Sequence, residues 1–128
     1  MKFKCKYLEQ KIIDDLFHME SQGAKGFIAR QSKRFLEELP TRMTGIEIGI
    51  KFKDFDSIRY HSHKLNGLSG LLGAYEIRDI TILLEQAAID QNTDCMTSHY
   101  NLLKDTVEII SFELKKVARI SERDSQKE

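Results

Sequence analysis

The chain has 128 residues, of which 41% are hydrophobic and 31% are charged, and its 20 basic side chains balance its 20 acidic ones. A chain of this length is expected to form one domain, which we place at about 1–120. Residues 121–128 are polar and charged, and we predict that they form a tail. The zero net charge argues against a nucleic-acid footprint and a polybasic membrane surface. No signal-peptide stretch or membrane span is visible, and Cys5 and Cys95 lack metal-ligand spacing. We therefore expect a soluble cytoplasmic protein with two free thiols.

Hydrophobic spacing predicts two helices before Asp54. The second begins near Gly26, and Pro40 should end or kink it, because proline lacks an amide donor and clashes with the preceding turn. Alternation over 46–52 also fits a strand, but no second strand is available to pair with it, so we predict helix there. The first helix covers about 7–20, and its apolar face carries Leu8, Ile12, Leu16 and Met19.

Three more helices are predicted in the rest of the chain. Asp54 is a favourable N-cap for the third helix, which runs to about residue 72 with Gly73 as its stop signal. The fourth spans about 75–91, and the fifth starts after Thr97 or Ser98 and frays from Ser121. The apolar stripe of the fifth has the spacing of a bundle seam: Met96, Tyr100, Leu103, Val107, Ile110, Leu114 and Val117. The predicted fold class is all-α, an antiparallel four-helix bundle with a short additional N-terminal helix.

The third helix carries the functional signal of this sequence. On a helical wheel its core stripe comprises Ile58, Ser62, Leu65, Ser69 and Leu72. His63 lies well away from that stripe, whereas His61 points to the edge of the core. Gly67 and Gly70 share the side of His63, although glycine inside a helix costs about 1 kcal/mol relative to alanine. The two glycines therefore predict clearance beside a presented histidine, which another macromolecule can approach.

This stretch resembles histidine-containing phosphotransfer (HPt) domains. The family pattern is an aspartate-led helix, then His-x-Leu-Lys-Gly, then Gly-Ala, and a Leu-Glu on the next helix. The matching residues here are Asp54, His63-Lys64-Leu65-Asn66-Gly67, Gly73-Ala74 and Leu84-Glu85. The resemblance covers about residues 24–118.

The resemblance implies a role for each matching residue. His63 would accept a phosphoryl group, and Glu85, 22 residues later, would orient its imidazole. Asn66 stands where the family usually has lysine, so Asn66 and Arg59 would supply the contacts to the phosphoryl oxygens. The face that docks a receiver domain would comprise Tyr60, Lys64, Gly67, Gly70 and Leu71.

The resemblance also implies the partners, which are response-regulator receiver domains and a hybrid sensor histidine kinase. The chain has no Gly-x-x-x-x-Gly-Lys-Ser/Thr loop, so it would carry phosphoryl groups without any ATP-dependent kinase activity. It would need no cofactor of its own, and the required Mg²⁺ is expected on the receiver domain. A monomer is favoured over an oligomer.

Three alternatives are weighed against this interpretation. A register with His61 as the acceptor would place Lys64 three residues later, but it loses the glycine matches, the spacing to Glu85 and the exposed placement. The second alternative is a degenerate domain of the same fold that docks on a receiver domain or kinase as an adaptor without accepting phosphate. Asn66 is the residue that favours this interpretation. The third alternative is a helical bundle that binds an unrelated protein. It would explain neither the glycine matches nor the spacing from His63 to Glu85, so it ranks last.

Overall fold

The computed structural model describes residues 3–127, and that part of the chain forms five α-helices and no strand. The helices are α1 (Gln10–Ser21), α2 (Phe27–Phe52), α3 (Phe55–Leu71), α4 (Tyr75–Ile89) and α5 (Thr93–Ser125). Very short connections join α2 through α5, so successive helices run antiparallel. Helix α2 packs on α3 and α5, and α4 packs on the same two helices. The predicted four-helix bundle with an added N-terminal helix is therefore confirmed.

One apolar stripe from each long helix meets in the centre of the bundle. All seven residues predicted for the α5 stripe are buried, as are all five predicted for α3. Helices α2 and α3 approach closely because α2 presents glycine at the contact. A Cβ at Gly45 would overlap the ring of His61, and a Cβ at Gly49 would come within 2.6 Å of Ile58. The seam between α2 and α3 therefore depends on these two glycines.

Helix α2 continues through Pro40, so this residue does not end the helix, which was one of the two predicted outcomes. Pro40 is solvent-exposed, and the residues around it include buried Phe35, Leu39 and Ile46. Burial of these side chains against α3 and α5 offsets the missing backbone hydrogen bond, whose cost is about 3 kcal/mol. The strand-like alternation over 46–52 is helix, as predicted.

Helix α1 begins at Gln10, three residues later than predicted. The backbone amides of Lys6, Tyr7 and Leu8 donate to the buried carboxylate of Glu113 at 2.7–3.0 Å, which holds this segment outside the helix. The predicted apolar face is also partly wrong. Ile13 is fully buried, whereas Met19 is 37% exposed.

Helix α5 is longer at both ends than predicted. It begins at Thr93 because the side chain of Asn92 accepts a hydrogen bond from the amide of Cys95 at 3.1 Å and caps the helix. At the other end, buried Ser121 donates to Glu20 at 2.6 Å and accepts from the amide of Ala29 at 3.0 Å. The prediction of fraying from Ser121 is therefore wrong, and α5 ends at Ser125.

Both cysteines are free thiols, as predicted, with Cys5 half-buried and Cys95 exposed. Burial, with a contribution from the Glu113 charge, raises the pKa of Cys5 to about 11, so this thiol stays protonated at neutral pH. Within residues 3–127, no helix combines the length and the apolar character needed to cross a membrane.

Candidate functional site

Helix α3 presents His63 to solvent because its opposite side is fixed in the core. The Asp54 side chain accepts a hydrogen bond from the amide of Ser57 at 3.1 Å and caps the helix, as predicted. Gly73, with φ of +72°, follows its C-terminal end in the left-handed conformation that favours glycine. Between these ends the buried stripe faces inward, and the side chain of His63 is left 74% exposed.

Glu85 of α4 lies beside His63, the residue with which the family resemblance pairs it. The Nδ1 atom of His63 is 3.8 Å from the Oε1 atom of Glu85, and the glutamate side chain is 30% exposed. This distance exceeds the 2.7–3.2 Å of an ordinary N–H···O hydrogen bond. The carboxylate is thus placed to attract a positive charge on the ring. A small rotation of either side chain would let the carboxylate accept a hydrogen bond from Nδ1–H.

The two glycines on the His63 side of α3 differ in what surrounds them. A Cβ at Gly67 would meet no atom within 4 Å, so the surface beside His63 is open there. A Cβ at Gly70 would lie 3.7 Å from Cδ of Arg78, which is ordinary van der Waals contact. Packing within this chain therefore does not require glycine at either position.

The two predicted phosphoryl contacts are placed differently. Asn66 is half-buried, and its amide nitrogen donates a long hydrogen bond of 3.5 Å to the main-chain oxygen of Arg78 on α4. Arg59 is exposed and forms no ion pair or side-chain hydrogen bond with any other residue of 3–127. The guanidinium of Arg59 is thus the less constrained of the two donors.

Of the predicted docking residues, Tyr60, Lys64 and Gly67 lie on the α2 side of His63, whereas Gly70 faces Arg78 of α4. Tyr60 is 54% exposed and Leu71 is 41% exposed. Two cations flank the Tyr60 ring: the Arg42 guanidinium carbon lies 5.4 Å and the Lys64 ammonium 5.7 Å from its centroid. At these distances cation–π attraction helps to hold the tyrosine.

His61 is packed at the α2–α3 seam, as predicted. Its Nδ1 atom lies 3.1 Å from Nη1 of Arg42. Arginine can only donate, so Nδ1 accepts and the proton of the neutral ring resides on Nε2. Burial, together with the charge of Arg42, lowers the pKa of His61. This histidine is therefore a structural acceptor, whereas His63 is open to solvent.

Three residues of α4 that share the side of Glu85 were not predicted as part of the site. Arg78 lies across Gly70 and stacks on Tyr75, with its guanidinium carbon 3.8 Å from the ring centroid. Ile82 is 49% exposed and Ile89 is 51% exposed. The spacing of 78, 82, 85 and 89 places all four on one helix face, so this signal was present in the sequence.

Comparisons with known proteins bear on the family and on the fold. The family model described as "Hpt domain" matches residues 32–113, a range that includes both His63 and Glu85. The fold is similar to the crystal structure of histidine-containing phosphotransfer protein B from Pseudomonas aeruginosa PAO1, with a TM-score of 0.78. That similarity covers 91% of this chain and 97% of the other at 14% sequence identity. No curated protein sequence matches the chain.

Proposed function

Because the chain belongs to the Hpt domain family, we propose that it is a histidine phosphotransfer protein of a two-component phosphorelay. It accepts a phosphoryl group on His63 from the aspartyl phosphate of one receiver domain and passes it to another. The observation that carries this proposal is the placement of His63, which is 74% exposed and has Glu85 3.8 Å from its Nδ1 atom.

The chemistry follows from the two nitrogens of the imidazole. The neutral imidazole is the nucleophilic form of histidine, because one of its nitrogens carries a free lone pair. With the proton on Nδ1, the lone pair of Nε2 attacks the phosphorus of the aspartyl phosphate. The N–P bond forms as the P–O bond to the aspartate breaks, and the carboxylate leaves with that electron pair. The positive charge that develops on the ring is stabilised by the carboxylate of Glu85 beside Nδ1.

The surroundings of His63 suit a transfer between two proteins. Phosphoryl transfer depends mainly on positioning and charge stabilisation. The open surface at Gly67 lets the loops of a receiver domain approach the ring. Arg59 and Asn66 are the donors on this chain for the phosphoryl oxygens. Of these two donors, only Arg59 carries a positive charge.

The partner supplies the rest of the reaction in this proposal. The Mg²⁺ belongs to the receiver domain, and this chain uses no cofactor. Receiver domains dock on the α3 surface that carries Tyr60, Lys64, Gly67, Gly70 and Leu71. On α4, the exposed residues Ile82 and Ile89 extend this surface beyond Glu85. A hybrid sensor histidine kinase is the source of the phosphoryl group.

A second candidate is an adaptor of the same fold that binds a receiver domain or kinase without being phosphorylated. The feature that favours it is Asn66, which is neutral and already donates to the Arg78 carbonyl. A neutral hydrogen bond is roughly half as strong as a charge-assisted one. The two candidates share a docking surface and differ in whether His63 becomes covalently modified.

Transfer from a panel of phosphorylated receiver domains separates the two candidates. We expect the wild-type protein to acquire an acid-labile, alkali-stable label. His63→Gln should abolish the label without unfolding the bundle, and His18→Gln, at an exposed position on α1, should retain it. Loss of label in His61→Gln alone would show that the wrong histidine has been assigned. Receiver binding without any label would establish the adaptor instead.

A further inference from the structure

A groove lies between the first half of α2 and the last half of α5, on a different side of the bundle from His63. Its volume is about 610 Å³, and no residue of α3 or α4 lines it. Its floor is apolar and contains Ala29 and Leu36 from α2 and Ala118 from α5. Two of these three side chains are alanines. The two alanines leave space between α2 and α5 that longer side chains would fill.

The rim of this groove is strongly basic, although the whole chain has zero net charge. Five cations line it, against the two carboxylates of Glu37 and Glu122. Lys115 and Arg119 form no ion pair with any other residue of 3–127. The five cations are Lys25, Arg30, Lys33, Lys115 and Arg119.

From this combination we propose that the groove binds an acidic amphipathic helix of a partner protein. An apolar floor between basic rims complements a helix with an apolar stripe flanked by carboxylates. The α2 side of the groove extends from Gly26 to Glu37, which is about 17 Å or roughly three helical turns.

Backbone hydrogen bonding favours a helix over an extended peptide. The groove is built from two helices, and their main-chain amides already have partners within each helix or, for Ala29, on the side chain of Ser121. An extended segment would find no strand edge there to satisfy its own backbone. A helix satisfies its backbone internally, so it needs only side-chain contacts from the groove.

The proposal goes beyond phosphotransfer and does not depend on it, since the binding involves neither His63 nor a phosphoryl group. The probe is a synthetic helix of about 14 residues, with leucines on one face and glutamates on both flanks. A second peptide of the same apolar pattern carries lysines in place of the glutamates. Backbone amide shifts of the full chain are recorded by NMR during titration with each peptide.

We expect the glutamate peptide to shift the amides of Ala29 and Ala118 and to leave those of His63 and Gly67 unchanged. Arg119→Glu and Lys33→Glu should each weaken this binding by about tenfold, because an attraction becomes a repulsion. Lys116→Glu is the matched control, since Lys116 is exposed on the same helix but does not line the groove. Circular dichroism verifies that each variant is folded.

Three results would overturn the proposal. The first is the absence of shifts at the groove with the glutamate peptide at millimolar concentration. The second is equal binding of both peptides, or equal weakening by Lys116→Glu. The third is Arg119-dependent binding to vesicles of phosphatidylcholine and phosphatidylserine without peptide binding, which would assign the basic rim to an anionic membrane surface.

Discussion

His61 and His63 are two residues apart on α3, and the helix gives them different environments. The ring of His61 fills the space left by Gly45 and accepts a hydrogen bond from Arg42. The ring of His63 is exposed and has a carboxylate near Nδ1. Because side chains two apart point in different directions on a helix, only one of the pair can reach a partner.

Asn66 stands where the resemblance to HPt domains implies lysine, and the variant with lysine there tests what the neutral side chain costs. Asn66→Lys should raise the equilibrium phosphoryl occupancy of His63 by about fivefold, which corresponds to about 1 kcal/mol from a charge-assisted hydrogen bond. Occupancy is measured after equilibration with one phosphorylated receiver domain. Unchanged occupancy would show that the charge of Arg59 already fills this role or that no cation contacts the phosphoryl group.

At the scale of the helices, α3 is held between two neighbours by different means. Glycines 45 and 49 let α2 approach it closely, whereas α4 contributes the side chains that border the His63 surface. Glycine thus serves packing at the buried contact between α2 and α3 and, in our proposal, access at the exposed surface beside His63. The same substitution should therefore have opposite effects on stability at the two places.

A matched pair of glycine-to-alanine variants tests this distinction. Gly67→Ala adds a Cβ in open space, so it should increase the free energy of unfolding by about 0.5–1 kcal/mol. It should also slow phosphotransfer by on the order of tenfold, because small misplacements of reacting groups are costly. Denaturant unfolding and single-turnover transfer measure the two effects. Unchanged transfer would contradict the role given to clearance.

Gly45→Ala is the other member of the pair. The added Cβ overlaps the His61 ring, so the ring must move and give up its contact with Arg42. Overpacking of this kind costs typically about 1–3 kcal/mol, which outweighs the gain in helix propensity of about 1 kcal/mol at most. We expect a lower free energy of unfolding, and a more stable variant would show that the seam is looser than described.

For the molecule as a whole, the bundle pattern was predictable because its apolar stripes are local in sequence. The capping aspartate of α3, the stripe of α5 and the exposed His63 all follow from spacing within one helix. The beginning of α1 and the end of α5 did not follow, because Glu113 binds the amides of residues 6–8 and Ser121 binds Glu20 and Ala29. Those partners are 92 to 107 positions apart, beyond the reach of any local pattern.

The helix through Pro40 and the start of α5 show two further limits of sequence reasoning. Core packing on both sides of Pro40 overrides its local preference. Thr97, which could cap a helix, donates instead to the carbonyl of Thr93 at 3.0 Å, and Asn92 is the cap. At the site, the spacing to Glu85 was visible from the family resemblance, whereas Arg78 was overlooked although the helical period of α4 indicates its position.

The global stability should depend on pH through His61. Burial lowers its pKa in the folded protein, whereas in the unfolded chain the pKa is about 6.5. Below that pH the unfolded state binds more protons, so the free energy of unfolding should fall as the pH drops from about 6.5 through the folded pKa. Urea unfolding of wild type and His61→Gln across this range measures the effect. An identical pH dependence in both proteins would contradict the assignment.

The atom that carries the phosphoryl group tests the central claim most directly. Long-range ¹H–¹⁵N spectra of the imidazole rings, recorded before and after transfer from a receiver domain, identify the modified nitrogen. We predict that only His63 changes, that Nε2 bears the phosphorus, and that Nδ1 keeps its proton beside Glu85. Modification of His61, attachment at Nδ1 of His63, or unchanged rings in a protein that still binds the phosphorylated receiver would contradict the account.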